Sequence, residues 1–294
     1  MAGTARDGAV VSHVLSWGRR ELRDLPWRRT RDPWAVLVSE TMLQQTQVAR
    51  VIDRLPRFLD RFPTVAACAD GPVADVVAEW SGLGYNRRPV SLHRATELMV
   101  ARHASQVPDT LPDLLALPGI GPYTARAVLA FAFEQPAAVV DTNIGRILAR
   151  VDGRTFRPAE VQQRADQLAS HEAVSGEFWW WNQSVMELAA VVCTARTPNC
   201  AGCPLVSHCR WKGQGVDPAK GSAGVSRPQA RFAGSDRQLR GRLVEALRGG
   251  SIMVDKLADT IGCDDPDRIA QILEGLARDG LIQQRGDHLM LPGR

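Results

Sequence analysis

Residues 117–143 read LPGIGPYTARAVLAFAFEQPAAVVDTN and combine a tight turn, an apolar helix and an aspartate, Asp141, after an apolar run. Two glycines and two prolines fill four of the five positions 118–122. Glycine adopts backbone angles closed to other residues, and proline is favoured in the first turn of a helix. Amides at a helix start can hydrogen-bond a phosphate group whatever the nucleotide sequence. The stretch predicts a hairpin that contacts a nucleic-acid backbone at Gly119 and Gly121; a plain turn between helices is the alternative.

The composition indicates a globular chain of two or three domains. It has 294 residues, 45% of them hydrophobic, and no apolar run as long as a membrane span. The first twenty residues lack the basic start, apolar stretch and cleavage site of a signal peptide. We therefore expect a cytoplasmic protein with no membrane partner. Its net charge of +4 is compatible with a polyanionic ligand.

Lysine is rare. Lys212, Lys220 and Lys256 are the only three lysines, and every other basic side chain is arginine. Base-composition bias of the genome is the simplest explanation, but the pattern has a chemical consequence. Because no lysine precedes residue 212, none in the first two thirds of the chain can form a Schiff base.

Helical periodicity dominates the first 210 residues, and one continuous pattern covers residues 32–55. Residues 213–235 are rich in Gly, Ala, Ser and Pro, a composition typical of a linker. Residues 236–294 predict three helices and a terminal hairpin with a strand at HLMLP, which suits a winged-helix module; a small helical bundle is the alternative. We therefore predict a core over 1–212, a linker over 213–235 and a small module over 236–294.

Four of the six cysteines, Cys193, Cys200, Cys203 and Cys209, fall within seventeen residues. In a reducing compartment such a group indicates metal rather than disulfides. Structural zinc sites usually pair two short Cys-x2–4-Cys knuckles, and only Cys200 and Cys203 make one here. The irregular spacing favours an iron–sulfur cluster over zinc, with unrelated free thiols as the remaining alternative. Arg196, Arg210 and Lys212 surround the loop and are expected to contact phosphates or to be plain solvated charge.

Three motifs occur in one order: the hairpin, VDTN at 140–143, and the spaced cysteines. Over roughly residues 10–212 the chain resembles the helix-hairpin-helix Gly/Pro-Asp superfamily of DNA glycosylases. Within it, SETMLQQTQV (39–48) and WSGLGYNRR (80–88) resemble the adenine DNA glycosylases of the MutY type. The resemblance implies an all-α, two-lobed fold with a 4Fe–4S cluster held by residues 193–209. It also implies a monomer associated with the nucleoid that acts on double-stranded DNA.

Hydrolysis of a purine N-glycosidic bond requires one carboxyl group that is protonated and one that is ionised. On a helix, Glu40 has the apolar neighbours Val36, Leu37 and Leu43, so we expect it at a buried edge, where desolvation raises a carboxyl pKa. Asp141 starts a helix whose amides favour its ionised form. The resemblance implies that Glu40 protonates N7 of a flipped-out adenine and that Asp141 stabilises the cationic sugar. A buried structural glutamate and a plain N-cap aspartate are the alternatives.

The resemblance also places other side chains at the DNA. Tyr123 occupies the position of the Schiff-base lysine of bifunctional relatives, and Asn143 matches a polar position near Asp141. Tyrosine cannot form that adduct, which together with the lysine gap implies hydrolysis without strong lyase activity. The expected DNA contacts, with Tyr85 as a wedge between bases, are Gln44, Gln45, Tyr85, Arg87, Arg88, Gly119 and Gly121.

Two features depart from the family. Residues 213–294 are too short for the Nudix-like domain by which MutY-type enzymes commonly recognise 8-oxoguanine, and VDTN replaces the more usual VDGN. We still expect excision of adenine opposite 8-oxoguanine or guanine in base excision repair, with weaker discrimination between them. Arg237, Arg240 and Arg242 would add DNA contacts, or the module would bind a partner protein. The alternatives are an endonuclease III-like or thymine mismatch glycosylase, and a non-catalytic cluster-bearing DNA-binding protein.

Overall fold

The computed structural model describes residues 2–225 and 231–293, and most of this part of the chain is helical. The helices are α1 Ala2–Glu21, α2 Pro33–Leu43, α3 Val48–Arg61, α4 Val65–Asp70, α5 Val73–Glu79, α6 Arg87–Arg102, α7 Leu111–Ala116, α8 Pro122–Phe131, α9 Thr142–Asp152, α10 Pro158–Ala169, α11 Phe178–Val191, α12 Asp236–Gly249, α13 Leu257–Ile261 and α14 Pro266–Arg278. The strands are β1 Ile252–Met253, β2 Gln283–Arg285 and β3 His288–Met290. The predicted mostly helical fold is confirmed.

The chain forms two compact units, each made of separate stretches of sequence. The first unit comprises Met1–Val36, Asp109–Leu111 and Gly121–Pro228. The second unit comprises Leu37–Pro108, Pro112–Ile120 and Gln229–Arg294. This division differs from the predicted boundaries, because residues 236–294 belong to the same compact unit as α3 to α6. In the described part of the chain, no helix is both long and apolar enough to cross a bilayer.

The first unit is built around α1, α9, α10 and α11, whose apolar faces form one buried cluster. Gly18 on α1 lies directly against Ser184 on α11: a Cβ at Gly18 would lie 1.8 Å from the serine Oγ. The missing side chain therefore sets how closely these two helices approach. α1 also contacts the cysteine loop and α9. Arg6 of α1 donates to the carbonyl oxygen of His208 (2.8 Å) and to Asp152 (3.1 Å).

In the second unit, residues 236–293 form a winged-helix arrangement of three helices and a three-stranded antiparallel sheet in the order β1-β3-β2. Ile252 and Gln284 both pair with Leu289 on the central strand, and the turn between β2 and β3 includes Gly286. The predicted terminal hairpin is confirmed, and the purely helical alternative is wrong. Leu239 and Leu243 of α12 share a buried core with Val77 of α5, which explains why the module joins this unit.

The helix predicted over 32–55 is interrupted. α2 ends at Leu43, α3 begins at Val48, and Gln45 between them has a left-handed backbone (φ 55°). The apolar periodicity continues across the break, so the pattern of the sequence does not reveal it. The cause of the break lies elsewhere in the sequence. Arg88 of α6 donates hydrogen bonds to the carbonyl oxygens of Thr41 and Met42 at the end of α2.

The segment predicted as a linker is folded over residues 213–225, and its residues 226–230 lie outside the described part of the chain. Ala219 and Ser222 are buried, and the Ala223 amide donates to the carbonyl oxygen of Phe156 (2.8 Å). A Cβ at Gly145 of α9 would lie 2.8 Å from the Gly224 carbonyl oxygen. Small residues in this segment therefore permit close packing rather than freedom of motion.

Glu187 of α11 is the acceptor of a buried ion-pair network, with a side chain 1% exposed. Arg28 donates to its Oε2 at 2.8 Å, and Arg23 contacts both carboxylate oxygens. Burial alone would raise the pKa of Glu187, but the hydrogen bonds from the two arginines outweigh burial and lower it. The network joins α11 to the segment that follows α1.

We expect Glu187→Gln to lower the free energy of unfolding by about 3 kcal/mol at neutral pH, because it leaves Arg28 charged in a buried position. A carboxyl group whose folded pKa is depressed stabilises the fold above its unfolded pKa of about 4.3, and this contribution is lost as pH falls through the folded pKa. The deficit of the variant, measured by urea unfolding, should therefore shrink below about pH 4. Asp24→Asn, which breaks the exposed pair with Arg29, is the control. An equal deficit at neutral and acid pH would contradict this account.

Candidate active site and cysteine loop

Glu40 lies on α2 and is 3% exposed. Its neighbours Leu37 and Val36 are buried, and so are the flanking Ser39 and Thr41. Glu40 is therefore buried, with apolar residues one turn earlier on α2 and polar residues on either side of it in the chain. α2 ends at Leu43, so Glu40 lies in the last turn of the helix, shortly before the irregular segment 44–47.

Two loops of the second unit carry non-glycine residues in left-handed backbone conformations, Gln45 (φ 55°) and Tyr85 (φ 51°). Both residues are exposed, Tyr85 to 41%. Such conformations cost about 1–3 kcal/mol each and persist where surrounding contacts enforce them. The guanidinium of Arg88 contacts the backbone directly before each of these two residues, at Gln44 and Gly84.

Arg88 joins the two loops by donating six hydrogen bonds of 2.7–3.2 Å. The acceptors are the carbonyl oxygens of Thr41, Met42, Gln44, Leu83 and Gly84 and the hydroxyl group of Thr46. Burial lowers the pKa of Arg88 to about 10, so it stays charged at neutral pH. The structure thus gives Arg88 an internal role in place of the predicted phosphate contact, because both terminal nitrogens are used within the protein.

Six of the seven predicted DNA contacts lie around one cavity of the second unit, which we call the loop cavity. It is lined by residues of the segments 41–50, 83–92 and 118–120, by Phe232, Arg237, Arg240 and Gly241, and by Leu276, Asp279 and Leu281. Gln44, Gln45, Tyr85, Arg87, Arg88 and Gly119 are among these residues. Gly121, the seventh, belongs to the first unit. Arg237 and Arg240, which the sequence analysis names as further DNA contacts, also line this cavity. Reasoning from sequence did not identify the lining residues Phe232, Leu276, Asp279 and Leu281, since nothing local links them to the loops.

The two hairpin glycines have different roles. Gly119 has φ +78°, and a Cβ there would lie 2.6 Å from Cβ of Ser91, so both its angle and its packing require glycine. Gly121 has φ −94°, which any residue adopts, and a Cβ there would meet no atom within 4 Å. The expectation of a restricted backbone angle is therefore wrong for Gly121, whose missing side chain leaves open space at the start of α8. Tyr123, half-buried, is the second residue of that helix.

Asp141 is the N-cap of α9 in the first unit. Its Oδ1 accepts from the amides of Asn143 (2.8 Å) and Ile144 (2.7 Å), and its Oδ2 accepts from Asn143 Nδ2 (2.7 Å). These three hydrogen bonds fix the carboxyl group of Asp141 at the start of α9. Asn143 thus lies beside Asp141, as predicted.

The same helix holds the cysteine loop. Arg146 donates to Asn143 Oδ1 (2.9 Å) and to the carbonyl oxygens of Cys193 (2.9 Å) and Ala189 (2.7 Å). One buried guanidinium therefore bridges the asparagine that contacts Asp141 and the first cysteine of the loop. Burial lowers the pKa of Arg146.

Arg150, one turn further along α9, is the second anchor of the loop. It donates to the carbonyl oxygens of Thr194 (2.7 Å) and Ala195 (3.2 Å) and forms an ion pair with Asp217 (2.7 Å). Its Nη1 lies 3.4 Å from the Cys193 sulfur. Reasoning from sequence missed Arg146 and Arg150; the available signal was two arginines four residues apart on the otherwise apolar buried face of one helix.

All four predicted cysteine ligands line one cavity of the first unit, together with apolar side chains such as Ile147 and Leu205. Burial raises the pKa of Cys203 to about 11, and it raises that of Cys193 against the opposing hydrogen bond from Arg150. In residues 2–225 and 231–293, no three side chains of the metal-ligating types come close enough to hold a single ion.

Comparison with known proteins defines the class. Residues 38–170 match the family described as "HhH-GPD superfamily base excision DNA repair protein". A solved structure of a thermostable thymine-DNA glycosylase superposes with a TM-score of 0.67 at 26% identity, over 72% of this chain and 99% of that one. The chain thus has the fold of the helix-hairpin-helix base-excision glycosylases.

The curated relatives are more specific. The adenine DNA glycosylase of Mycobacterium tuberculosis (strain ATCC 25618 / H37Rv) is 42% identical over 290 residues, which cover 96% of this chain and 93% of the relative. The adenine DNA glycosylase of Homo sapiens is 40% identical over 223 residues, 70% of this chain and 40% of the human protein. The chain belongs to the adenine DNA glycosylase family.

We expect Arg88→Ala to lower the free energy of unfolding by about 3 kcal/mol, because it leaves several buried carbonyl groups without a donor. Loss of Arg88 also releases the backbone of Gln45 and Tyr85, so binding to duplex DNA should weaken. Urea unfolding and fluorescence anisotropy with a mismatched duplex measure the two effects.

Arg87→Ala is the matched control for stability, since the Arg87 side chain is 76% exposed and should change it by less than about 0.5 kcal/mol. An Arg88→Ala protein as stable as Arg87→Ala would contradict the assigned internal role of Arg88.

Proposed function

We propose that the protein is an adenine-specific DNA N-glycosylase of base excision repair. It flips adenine out of a duplex in which the base lies opposite 8-oxoguanine or guanine, and it hydrolyses the N-glycosidic bond. The observation that carries the proposal is the 42% identity to an adenine DNA glycosylase over 96% of the chain. The thymine and endonuclease III-like alternatives are not favoured.

Glu40 is proposed as the general acid that protonates N7 of adenine. Protonation makes the base a better leaving group, so the bond between the sugar carbon and the base nitrogen breaks with both electrons on the base. A buried carboxyl group suits this role because burial favours its protonated form. The low exposure of Glu40 on α2 supports the assignment.

Asp141 is proposed as the ionised partner that offsets the positive charge developing on the sugar and helps to position the attacking water. Its three hydrogen-bond donors and its N-cap position support this assignment. Asn143 holds Asp141 in place, and Tyr123 is expected beside the reacting nucleotide. Because Tyr123 stands where a Schiff-base lysine would be, the proposed reaction ends at the abasic site without strand cleavage.

Binding is proposed to occur through both units of a monomer. Gln44, Gln45, Tyr85 and Arg87 would contact the duplex from the loop cavity, and Gly119 and Gly121 would let the DNA backbone approach the hairpin. Arg88 is left out of this set, because its guanidinium is used within the protein. We also propose that the protein is cytoplasmic and associated with the nucleoid, where its DNA substrate would lie.

Cys193, Cys200, Cys203 and Cys209 are proposed to hold a 4Fe–4S cluster, with zinc as the alternative. The donor set fits, since four thiols line one cavity with apolar walls. When bound, the cluster would supply a covalent tie between the two ends of the loop. The exposed Arg196, Arg210 and Lys212 on that loop would then present a fixed basic surface to phosphates.

The acid assignment is tested with Glu40→Gln in single-turnover reactions on duplexes with adenine opposite 8-oxoguanine, guanine or thymine, with and without alkali. We expect wild type to release adenine from the first two and to break strands only after alkali. Glu40→Gln should slow release at least about 100-fold while duplex binding survives.

Glu97→Gln, at a side chain 56% exposed on α6, is the matched control and should react like wild type. Adenine release by Glu40→Gln at the wild-type rate would refute the acid assignment. Strand breaks without alkali would refute the lyase-free reaction, and no release by wild type from any pair would refute the proposed function.

For the cysteine loop we expect purified protein to be coloured and to contain iron and acid-labile sulfide in equal amounts without zinc. Cys203→Ser should lose most of this content, because it removes one of four ligands, whereas Cys263→Ser, outside the cavity, should keep it. Colourless protein with one zinc ion per chain would instead establish the alternative.

A further inference from the structure

The segment that leads into Asp141 is buried and extended, and it has no neighbouring strand in the described part of the chain. Ala137, Ala138 and Val139 are each at most 5% exposed. The strands of residues 2–225 and 231–293 pair only with one another, within the winged-helix arrangement. A buried backbone group without a hydrogen-bond partner costs about 1–3 kcal/mol. Side chains must therefore supply the partners that a sheet would otherwise give this segment.

Asn182 of α11 supplies two of these partners. Its Oδ1 accepts from the Val139 amide (2.9 Å), and its Nδ2 donates to the carbonyl oxygen of Ala137 (2.9 Å). One side-chain amide thus bonds to the segment as a residue of a neighbouring parallel strand would. Nδ2 also donates to the carbonyl oxygen of Phe178 on the same helix (2.8 Å), which fixes the orientation of the amide group.

The chemistry of this position requires a side-chain amide. Asn182 is 1% exposed, so water cannot take the place of a missing donor or acceptor. An amide group accepts through its oxygen and donates through its nitrogen, whereas an ionised carboxylate of the same shape only accepts and a leucine side chain does neither. Substitution of Asn182 therefore leaves backbone groups of the segment without partners.

Gln162 of α10 holds the residue between these two. Its Nε2 donates to the carbonyl oxygen of Ala138 (3.1 Å) and to Asp166 Oδ1 (2.9 Å). Asp166 in turn pairs with Arg126 (3.3 Å) on α8, the helix that carries Tyr123. The segment is thus held from α10 and α11, and the ion pair links its support on α10 to α8.

These contacts fix Asp141 from the side opposite to α9. Hydrogen bonds from Asn143 and Ile144 hold its carboxyl group at the start of the helix. The Val139 amide, held by Asn182, lies two residues earlier, a distance of about 7 Å along an extended chain. A shift at Val139 therefore displaces the carboxyl group. Displacement of a reacting group by about 1 Å can lower a rate about 100-fold.

We infer that Asn182 is a positioning residue for adenine excision, because it holds residues 137–139 and so places the carboxyl group of Asp141 beside the reacting sugar. Gln162 is the second support of the same segment. The inference rests on the proposed function, since the placement of Asp141 affects the rate only if the chain hydrolyses the glycosidic bond. Both side chains act through the backbone, so their loss should change the rate of release rather than the affinity for DNA.

The test separates rate from affinity. Single-turnover release of adenine opposite 8-oxoguanine, with enzyme in excess, gives the rate constant. Fluorescence anisotropy with the same duplex carrying 2′-fluoro-2′-deoxyadenosine, which resists cleavage, gives Kd. We expect Asn182→Leu to release adenine at least about tenfold more slowly than wild type and Gln162→Leu about threefold more slowly, each with Kd within about twofold of wild type.

Asp7→Asn is the matched control for stability. It weakens a buried ion pair with Arg164 of α10 in the same unit, at a distance from residues 137–141 in the contact network. It should lower the free energy of unfolding and leave the rate of release unchanged. An equal loss of rate in Asp7→Asn would overturn the inference, because reduced stability would then account for the effect.

Release by folded Asn182→Leu at the wild-type rate, or a loss of affinity as large as the loss of rate, would also overturn the inference. If Asn182→Leu does not fold, Gln162→Leu decides, and a wild-type rate for it contradicts the assigned support. Wild type that releases no adenine would instead refute the proposed function before any variant is compared, so the two failures are distinguishable.

Discussion

The first unit depends on two buried guanidinium groups of one helix. Arg146 and Arg150 donate to the carbonyl oxygens at the start of the cysteine loop, and Arg146 also donates to the asparagine that contacts Asp141. A buried carbonyl group without a donor costs about 1–3 kcal/mol, so the loop can adopt this path only while both arginines are in place. α9 therefore carries the proposed catalytic carboxylate at one end and the support of the cysteine ligands along its length. Arginine suits this task because its planar fork presents five donors and stays charged when buried.

In the second unit too, an arginine donates hydrogen bonds to the carbonyl oxygens of loops. Arg88 ends α2 early and holds Gln45 and Tyr85 in backbone conformations that neither residue prefers. Strain of this kind is stable only inside a network that over-determines it. α12 adds to that network from outside, since its Arg248 donates to the carbonyl oxygen of Val77 and to Asn86 beside Tyr85. A module distant in sequence thus stabilises the loops around which the proposed DNA contacts are arranged.

The sequence predicted the turns, helix starts and strands that depend on residues within a few positions of one another. The tight turn at Gly119, the start of α9 at Asp141 and the strand after Gly286 each follow from backbone preferences within a few residues. The break after Leu43 could not be predicted in this way, because its cause is a side chain 45 positions later in the chain, at Arg88. The packing of residues 213–225 was missed for a related reason: a composition rich in Gly and Ala fits a flexible linker and a closely packed segment equally well.

The contact of Arg6 with His208 has a consequence for biosynthesis. The two residues are 202 positions apart, and α1 also packs on α11, which begins only at Phe178. During synthesis α1 leaves the ribosome long before the helices on which it packs have been made. Its apolar face stays uncovered until residues beyond about 210 have emerged. Closing so long a loop costs entropy that local helix formation does not recover. The nascent chain should therefore assemble most of Leu37–Pro108 first and incorporate α1 late, which makes α1 a segment on which chaperones can act.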